Sequence, residues 1–267
     1  MRVALVQHDI VWERTLENLD RLDAQVAAAA GSGARLVVLS EMFSTGFSMN
    51  TADVAEDLDG PSVRRLRRWA TDHSVWTCAS VPVVHARGER PYNTLFLVSP
   101  DGEMHTYRKI HPFGYSSEPD HYGAGGEFLT VDVEGLRVST FVCYDLRFAN
   151  EFWALAPDTD MYVIPANWPA SRREQWSTLL RARAIENQAY VVAVNRVGIG
   201  HGSGPDGAAT GDIAYSGDSA AIDPLGRVLV SAAHREALLV TEVTAETVAE
   251  VRRQFPFMAD RRQIPAG

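Results

Sequence analysis

The sequence predicts an α/β fold, a single domain over residues 1–267 with a mixed sheet or a pair of sheets. Three observations carry that expectation. Short β-branched runs alternate with amphipathic stretches. The chain opens strand–helix–strand, the pattern of a parallel pair with a crossover helix. Its middle is a series of short strands separated by turn residues.

Residues 3–6 and 36–39 read as buried strands. Between them Leu16, Leu19, Leu22, Val26 and Ala30 recur at helical spacing. Pro61 suits a first helical turn, and Leu66, Trp69 and Ala70 mark a second helix behind it. Strands follow over 75–84, 92–98 and 103–107, the last two joined by the hairpin signal Ser99-Pro100-Asp101-Gly102. Residues 111–126, rich in Gly, Ser, Pro and Asp, read as a long loop. Strands at 128–133 and 138–143 flank the tight turn Glu134-Gly135, and 161–165 is another strand. Apolar or small residues at 176, 179, 180 and 184 predict a helix over 173–188. Strands at 191–194, 219–222, 228–230 and 237–243 and a helix over 243–254 complete the chain, with a turn at Asp223-Pro224-Leu225-Gly226. The Gly-rich stretch 198–211 reads as a surface loop, because strand patterning resumes after it.

The 267 residues are 46% hydrophobic, enough for an ample core. A formal net charge of −9 argues against nucleic acid or an anionic membrane as partner, and leaves a small substrate open. Two cysteines, Cys78 and Cys143, are too few for a disulfide scaffold or a CxxC metal site. The chain enters a strand-like run at once, with no signal-peptide pattern, and its apolar runs are short of a membrane span. The reading is therefore a cytoplasmic protein with free thiols.

Three strand-like runs end in a reactive side chain: 35–39 before Glu41, 104–108 before Lys109, and 138–142 before Cys143. Open α/β sheets gather ligands at the carboxyl ends of strands. The trio is chemically coherent. A thiol is mostly protonated at neutral pH and needs a base to become a nucleophile. A carboxylate can take its proton, and an ammonium can hold the oxyanion formed on a carbonyl. Taken singly, each residue has a plainer reading: a buried small hydrophobe for Cys143, a turn carboxylate for Glu41, a solvated edge for Lys109.

These segments resemble the nitrilase superfamily of carbon–nitrogen hydrolases. The resemblance runs through nearly the whole chain: Leu39-Ser40-Glu41-Met42-Phe43, Tyr107-Arg108-Lys109-Ile110-His111, Val142-Cys143-Tyr144-Asp145-Leu146-Arg147-Phe148, Pro165-Ala166-Asn167-Trp168-Pro169, 183–190 and Asn195-Arg196-Val197-Gly198. It implies an αββα sandwich, two mixed sheets flanked by helices, paired into a homodimer or higher homo-oligomer. It implies Glu41 as general base, Lys109 as oxyanion stabiliser and proton donor, Cys143 as nucleophile and the Tyr144 N–H as a second oxyanion donor. Glu118 matches a further glutamate of the family, which would position Lys109, and an exposed loop carboxylate is its other reading. The implied reaction is hydrolysis of a small amide through a thioester, with no metal or organic cofactor. His105, His111 and His121 show no helix-spaced ligand pair.

Within the superfamily the chain is most similar to omega-amidases acting on ω-amides of 2-oxo acids such as 2-oxoglutaramate. Hydrolysis of an N-carbamoyl amine or a nitrile, or a non-catalytic scaffold role, are the alternatives. Phe43, Asn167 and Trp168 are the expected pocket residues, with core packing as the other reading of the two aromatics. Arg147 is expected to pair with Asp145 or Glu186, or else to meet a substrate carboxylate. Cys78 is read as packing. Ser40, Pro112 and Ala149 depart from the family's usual residues, and Pro112 and Gly114 put the shape of the pocket loop, and so the substrate, in question.

Overall fold

The computed structural model describes residues 1–203 and 209–262. The elements run β1 (Arg2–Gln7), α1 (Thr15–Gly31), β2 (Leu36–Val38), α2 (Thr51–Val54), α3 (Pro61–His73), β3 (Trp76–Val83), β4 (Tyr92–Val98) and β5 (Met104–Arg108). The second half has α4 (Glu118–His121), β6 (Thr130–Val133), β7 (Leu136–Thr140), α5 (Ala149–Leu155), β8 (Met161–Ala166), α6 (Arg173–Asn187) and β9 (Tyr190–Asn195). It closes with β10 (Val197–Ser203), β11 (Ala209–Ile222), β12 (Val228–Ala233), β13 (Ala237–Glu242) and α7 (Ala245–Gln254).

Two mixed sheets form. One has the order β13-β1-β2-β3-β4-β5; the other is β10-β11-β9-β8-β7-β6, with β12 also on β11. β1, β2 and β3 are parallel, as are β7, β8 and β9. The pleat sorts side chains between two layers. Val3, Leu5, Leu36, Val38, Leu95 and Leu97 point to the core shared with the second sheet. Their neighbours Ala4, Val6, Val37, Phe96 and Val98 point the other way, onto α1 and α3. On the second sheet, α6 packs against β9 and β11 and buries Trp176, Leu180 and Ala184. Helix, sheet, sheet, helix is therefore the layering. No helix among the described residues is long and apolar enough to cross a membrane.

Several boundaries differ from the sequence reading. Leu16 is 65% exposed, so the stripe of α1 begins at Leu19. Leu16 instead rims a surface groove beside Pro61 and Arg64. The strand expected over 138–143 stops at Thr140, and Cys143 opens a 3-10 turn, Cys143–Arg147. The final helix starts at Ala245, capped by the Thr244 hydroxyl accepting from the Thr247 N–H. The stretch read as a surface loop over 198–211 is largely an antiparallel hairpin of β10 and β11; residues 204–208 lie outside the described set. Two of its glycines, Gly198 and Gly200, answer close approach. A Cβ on Gly198 would come within 2.0 Å of Asp9 Oδ1, and one on Gly200 within 2.9 Å of the Tyr215 ring.

Candidate active site

Each reactive side chain sits just past a strand, where the backbone leaves its ladder. Lys109 follows β5, and its N–H donates to the Asn93 carbonyl across the β4–β5 hairpin (2.9 Å). Glu41 follows β2, and the next residue, Met42, has φ of +42° and donates its N–H to Ser80 Oγ (2.9 Å). Cys143 itself has φ of +47°. A left-handed non-glycine residue costs on the order of 1–3 kcal/mol, so its surroundings must hold it there.

Asp145 supplies much of that hold. Its carboxylate accepts from the Val142 N–H (2.9 Å), the Tyr107 hydroxyl (2.8 Å) and the His111 N–H (2.9 Å), and faces His111 Nδ1 (2.9 Å). Arg183, buried on α6, donates Nε and Nη2 to the Leu146 carbonyl at 3.2 and 2.7 Å. Ala149 is the first residue of α5, a position whose N–H has no partner within the helix, so alanine and proline both fit there. Ser40, the other departure near the site, bonds His8 Nε2 at 3.0 Å. Burial lowers the pKa of His8 to about 3, so this partner is neutral.

Glu41, Lys109 and Glu118 form one buried ionic cluster. Lys109 Nζ lies 3.0 Å from Glu41 Oε1 and 3.1 and 2.9 Å from the two Glu118 oxygens. Glu118 is 0% exposed, so it is not a solvated loop carboxylate; the Phe113 N–H also donates to it. Burial works against the Lys109 ammonium, but the Glu118 and Glu41 carboxylates outweigh it and hold its pKa above the ordinary value. Burial raises Glu118 above the usual carboxylate range, opposed by Lys109 and reinforced by Glu41.

Cys143 is 8% exposed and shares its cavity with Lys109. Burial raises its thiol pKa, and the nearby Glu41 carboxylate adds to that, while Lys109 and the Asn167 N–H oppose it. The resting group is a thiol, so reaction requires a base at hand. Cys78 is fully buried between the sheets, and burial likewise raises its thiol pKa.

The sequence reading missed Asn93. Its Nδ2 donates to Glu41 Oε1 (2.7 Å) and reaches Glu118 Oε1 (3.4 Å). It is one neutral donor between two carboxylates that share a single ammonium. Asn93→Leu should destabilise the fold by about 1–3 kcal/mol, the cost of an unsatisfied buried acceptor, read from urea unfolding. A variant as stable as the parent would remove Asn93 from this account.

Asn167 has two duties. Its N–H and Nδ2 brace Glu41, donating to Oε2 (2.8 Å) and to the Glu41 carbonyl (2.6 Å), and it also lines the cavity. Trp168 lines the cavity too, pinned by Nε1 to the Arg172 carbonyl (2.8 Å). Phe43 does not line it. The turn at Met42 sends Phe43 into the helix-side core, with its ring centroid 6.0 Å from that of Trp69. Phe47 takes the place beside the site, its ring 5.1 Å from Lys109 Nζ.

The cavity encloses about 380 Å³. Phe113 and Tyr115, from the loop that holds Pro112 and Gly114, form one side of it. Arg147 and Arg172 form another, stacked over Trp168 (5.0 Å) and Phe113 (5.4 Å). Arg147 does not make the internal ion pair expected of it, because Asp145 is taken by the turn and Glu186 bonds Arg183 (2.8 Å). Neither guanidinium meets a carboxylate among the described residues. No cluster among them could hold a metal ion.

The family profile for carbon–nitrogen hydrolases matches residues 2–253. The omega-amidase YafV of Escherichia coli K12 is 36% identical over 97% of this chain and 96% of its own. A 2-oxoglutaramate amidase of Bacillus subtilis is 32% identical, over 98% and 97%. A solved carbon–nitrogen hydrolase superfamily protein from Xanthomonas campestris, with an arsenic adduct in its active site, is 37% identical. It superposes with a TM-score of 0.88 over 100% of this chain and 99% of that one.

Proposed function

The chain belongs to the carbon–nitrogen hydrolase family and is an amidase, and we propose that its substrate is an ω-amide of a 2-oxo dicarboxylic acid such as 2-oxoglutaramate. One observation carries the substrate class. A cavity lined by the Cys143 thiol and the Lys109 ammonium, with the Glu41 carboxylate buried against that ammonium, has on its wall two guanidinium groups that meet no carboxylate among the described residues. Such a wall suits a substrate with an amide at one end and a carboxylate at the other.

In this reading Cys143 attacks the amide carbon while its proton passes to Glu41. The oxyanion is held by the Lys109 ammonium and the Tyr144 N–H. As the tetrahedral species collapses, the Glu41 proton goes to the amide nitrogen, the C–N bond breaks and ammonia leaves. The acyl group remains as a thioester on Cys143. Water gives a proton to Glu41 and adds to the thioester; the C–S bond then breaks, the sulfur regains the proton and the acid is released. Glu118 and Asn93 position Lys109 and Glu41 in both halves.

Two results test this. The protein should release ammonia from 2-oxoglutaramate in preference to an N-carbamoyl amine or a nitrile; no ammonia from any small amide sinks the reading. Arg172→Ala should raise KM for the carboxylate-bearing amide about tenfold or more relative to its effect on butyramide, because a charged hydrogen bond contributes about 1.5–3 kcal/mol. Equal KM changes for the two amides would remove Arg172 from substrate recognition.

A further inference from the structure

The Asn195-Arg196-Val197-Gly198 segment takes no part in the chemistry above, yet it builds a buried cation beside the cavity. Arg196 is 0% exposed. Its Nη2 donates to Asp9 Oδ1 (2.7 Å) and to the Ile10 and Ile199 carbonyls (both 3.0 Å), and its Nε to the Val197 carbonyl (3.0 Å). Nη1 is buried and has no hydrogen-bond partner among the described residues. The guanidinium carbon instead lies 4.7 Å from the Tyr215 ring centroid. Gly198 leaves room for the Asp9 carboxylate, and Gly200 for the stack, since a Cβ there would come 3.0 Å from Nη1. The motif therefore clamps a tyrosine ring onto a desolvated cation.

Tyr215 lines the same cavity as Cys143 and is 6% exposed. Its hydroxyl meets no hydrogen-bond partner among the described residues, and it is not among the sealed polar atoms, so it opens onto the cavity. Burial raises the phenol pKa, so the group is an O–H donor at neutral pH. A cation against the ring face draws density from the phenol and strengthens that donor. It is a prepared donor in want of an acceptor.

We propose that Tyr215 is a specificity residue whose hydroxyl donates to the 2-oxo oxygen of the substrate, with Arg196 as the positioning residue behind it. The inference rests on the substrate class proposed above. With the amide at Cys143 and the carboxylate at Arg147 and Arg172, the acceptor left on a 2-oxo ω-amide is the oxygen at C2. Glutaramate has the same ends and lacks that oxygen. A site that hydrogen-bonds a group discriminates against the analogue without it, because the donor is then left unpaired.

The test compares 2-oxoglutaramate with glutaramate in the wild type and in Tyr215→Phe, which keeps the ring on Arg196. The ratio of the two kcat/KM values should favour the 2-oxo substrate in the wild type and fall about tenfold in the variant. A ratio that holds while both values fall together overturns the inference and leaves Tyr215 as packing. Calorimetry of 2-oxoglutarate and glutarate on Cys143→Ala, with and without Tyr215→Phe, gives a readout independent of turnover. Preference for the 2-oxo acid that disappears with the hydroxyl supports the inference, even if the wild type hydrolyses neither amide and the functional reading fails. No preference in Cys143→Ala, or one that survives Tyr215→Phe, overturns it.

Discussion

Cys143→Ala is expected to lower kcat for amide hydrolysis by roughly 10⁴–10⁶-fold while leaving a folded protein, as removal of a covalent nucleophile does elsewhere. Glu41 and Lys109 remain in the variant, so water could still be polarised, but no thioester can form. The cost to the fold is small for two reasons. The side chain faces a cavity and loses one sulfur atom, so little packing is surrendered. Alanine also carries the same left-handed strain at φ of +47°, which the Asp145 and Arg183 contacts go on holding. Ammonia release and thermal unfolding, measured on the same preparation, check both halves. Activity within tenfold of the parent would show that Cys143 is not the nucleophile.

Lys109→Met is expected to stop turnover and, unlike the cysteine variant, to destabilise the fold by about 3–5 kcal/mol at pH 8. Methionine fills similar space, so the loss comes from charge. Without the ammonium, two buried carboxylates face each other, with Asn93 the donor left between them. Burial already holds Glu118 above the usual carboxylate range, and removing Lys109 takes away what opposes that shift. A carboxyl whose pKa is higher in the folded than in the unfolded chain binds more protons when folded, so acid favours the fold. The deficit should be full above the raised pKa and shrink as pH falls through it towards the ordinary carboxylate value. Urea unfolding at pH 5.5, 7 and 8 reads this directly. A deficit that grows as pH falls contradicts the buried-cluster account.

Much of the architecture was legible because burial on both faces writes a strand as an unbroken apolar run, as in 36–38, and the runs fell in a parallel-sheet order. Glu41, Lys109 and Cys143 stood out because each ends such a run. Asn93 was within reach of the sequence. The turn at 99–102 sets the register that pairs Val98 with Met104 and Thr94 with Arg108, so Asn93 falls opposite Lys109. Tyr215 and Arg172 were not, since nothing local brings β11 and the start of α6 to Cys143. Phe43 was misassigned for want of one angle, the positive φ of Met42, which turns it away from the cavity. The 198–211 hairpin was hidden by its glycines, of which Gly198 and Gly200 serve tertiary contact.

The two carboxylates sharing one ammonium beneath Cys143 also bear on how the cycle ends. An amide arrives at that floor uncharged at its reacting end; the acid that leaves is anionic there. With both carboxylates ionised the cluster carries a formal net charge of −1. A cluster of that charge disfavours an anion at the reacting end relative to a neutral amide. The acid is therefore expected to bind more weakly than the amide, read as a higher Kd for 2-oxoglutarate than for 2-oxoglutaramate on Cys143→Ala. The ease of product release is thus tied to the charge of the cluster behind the cavity.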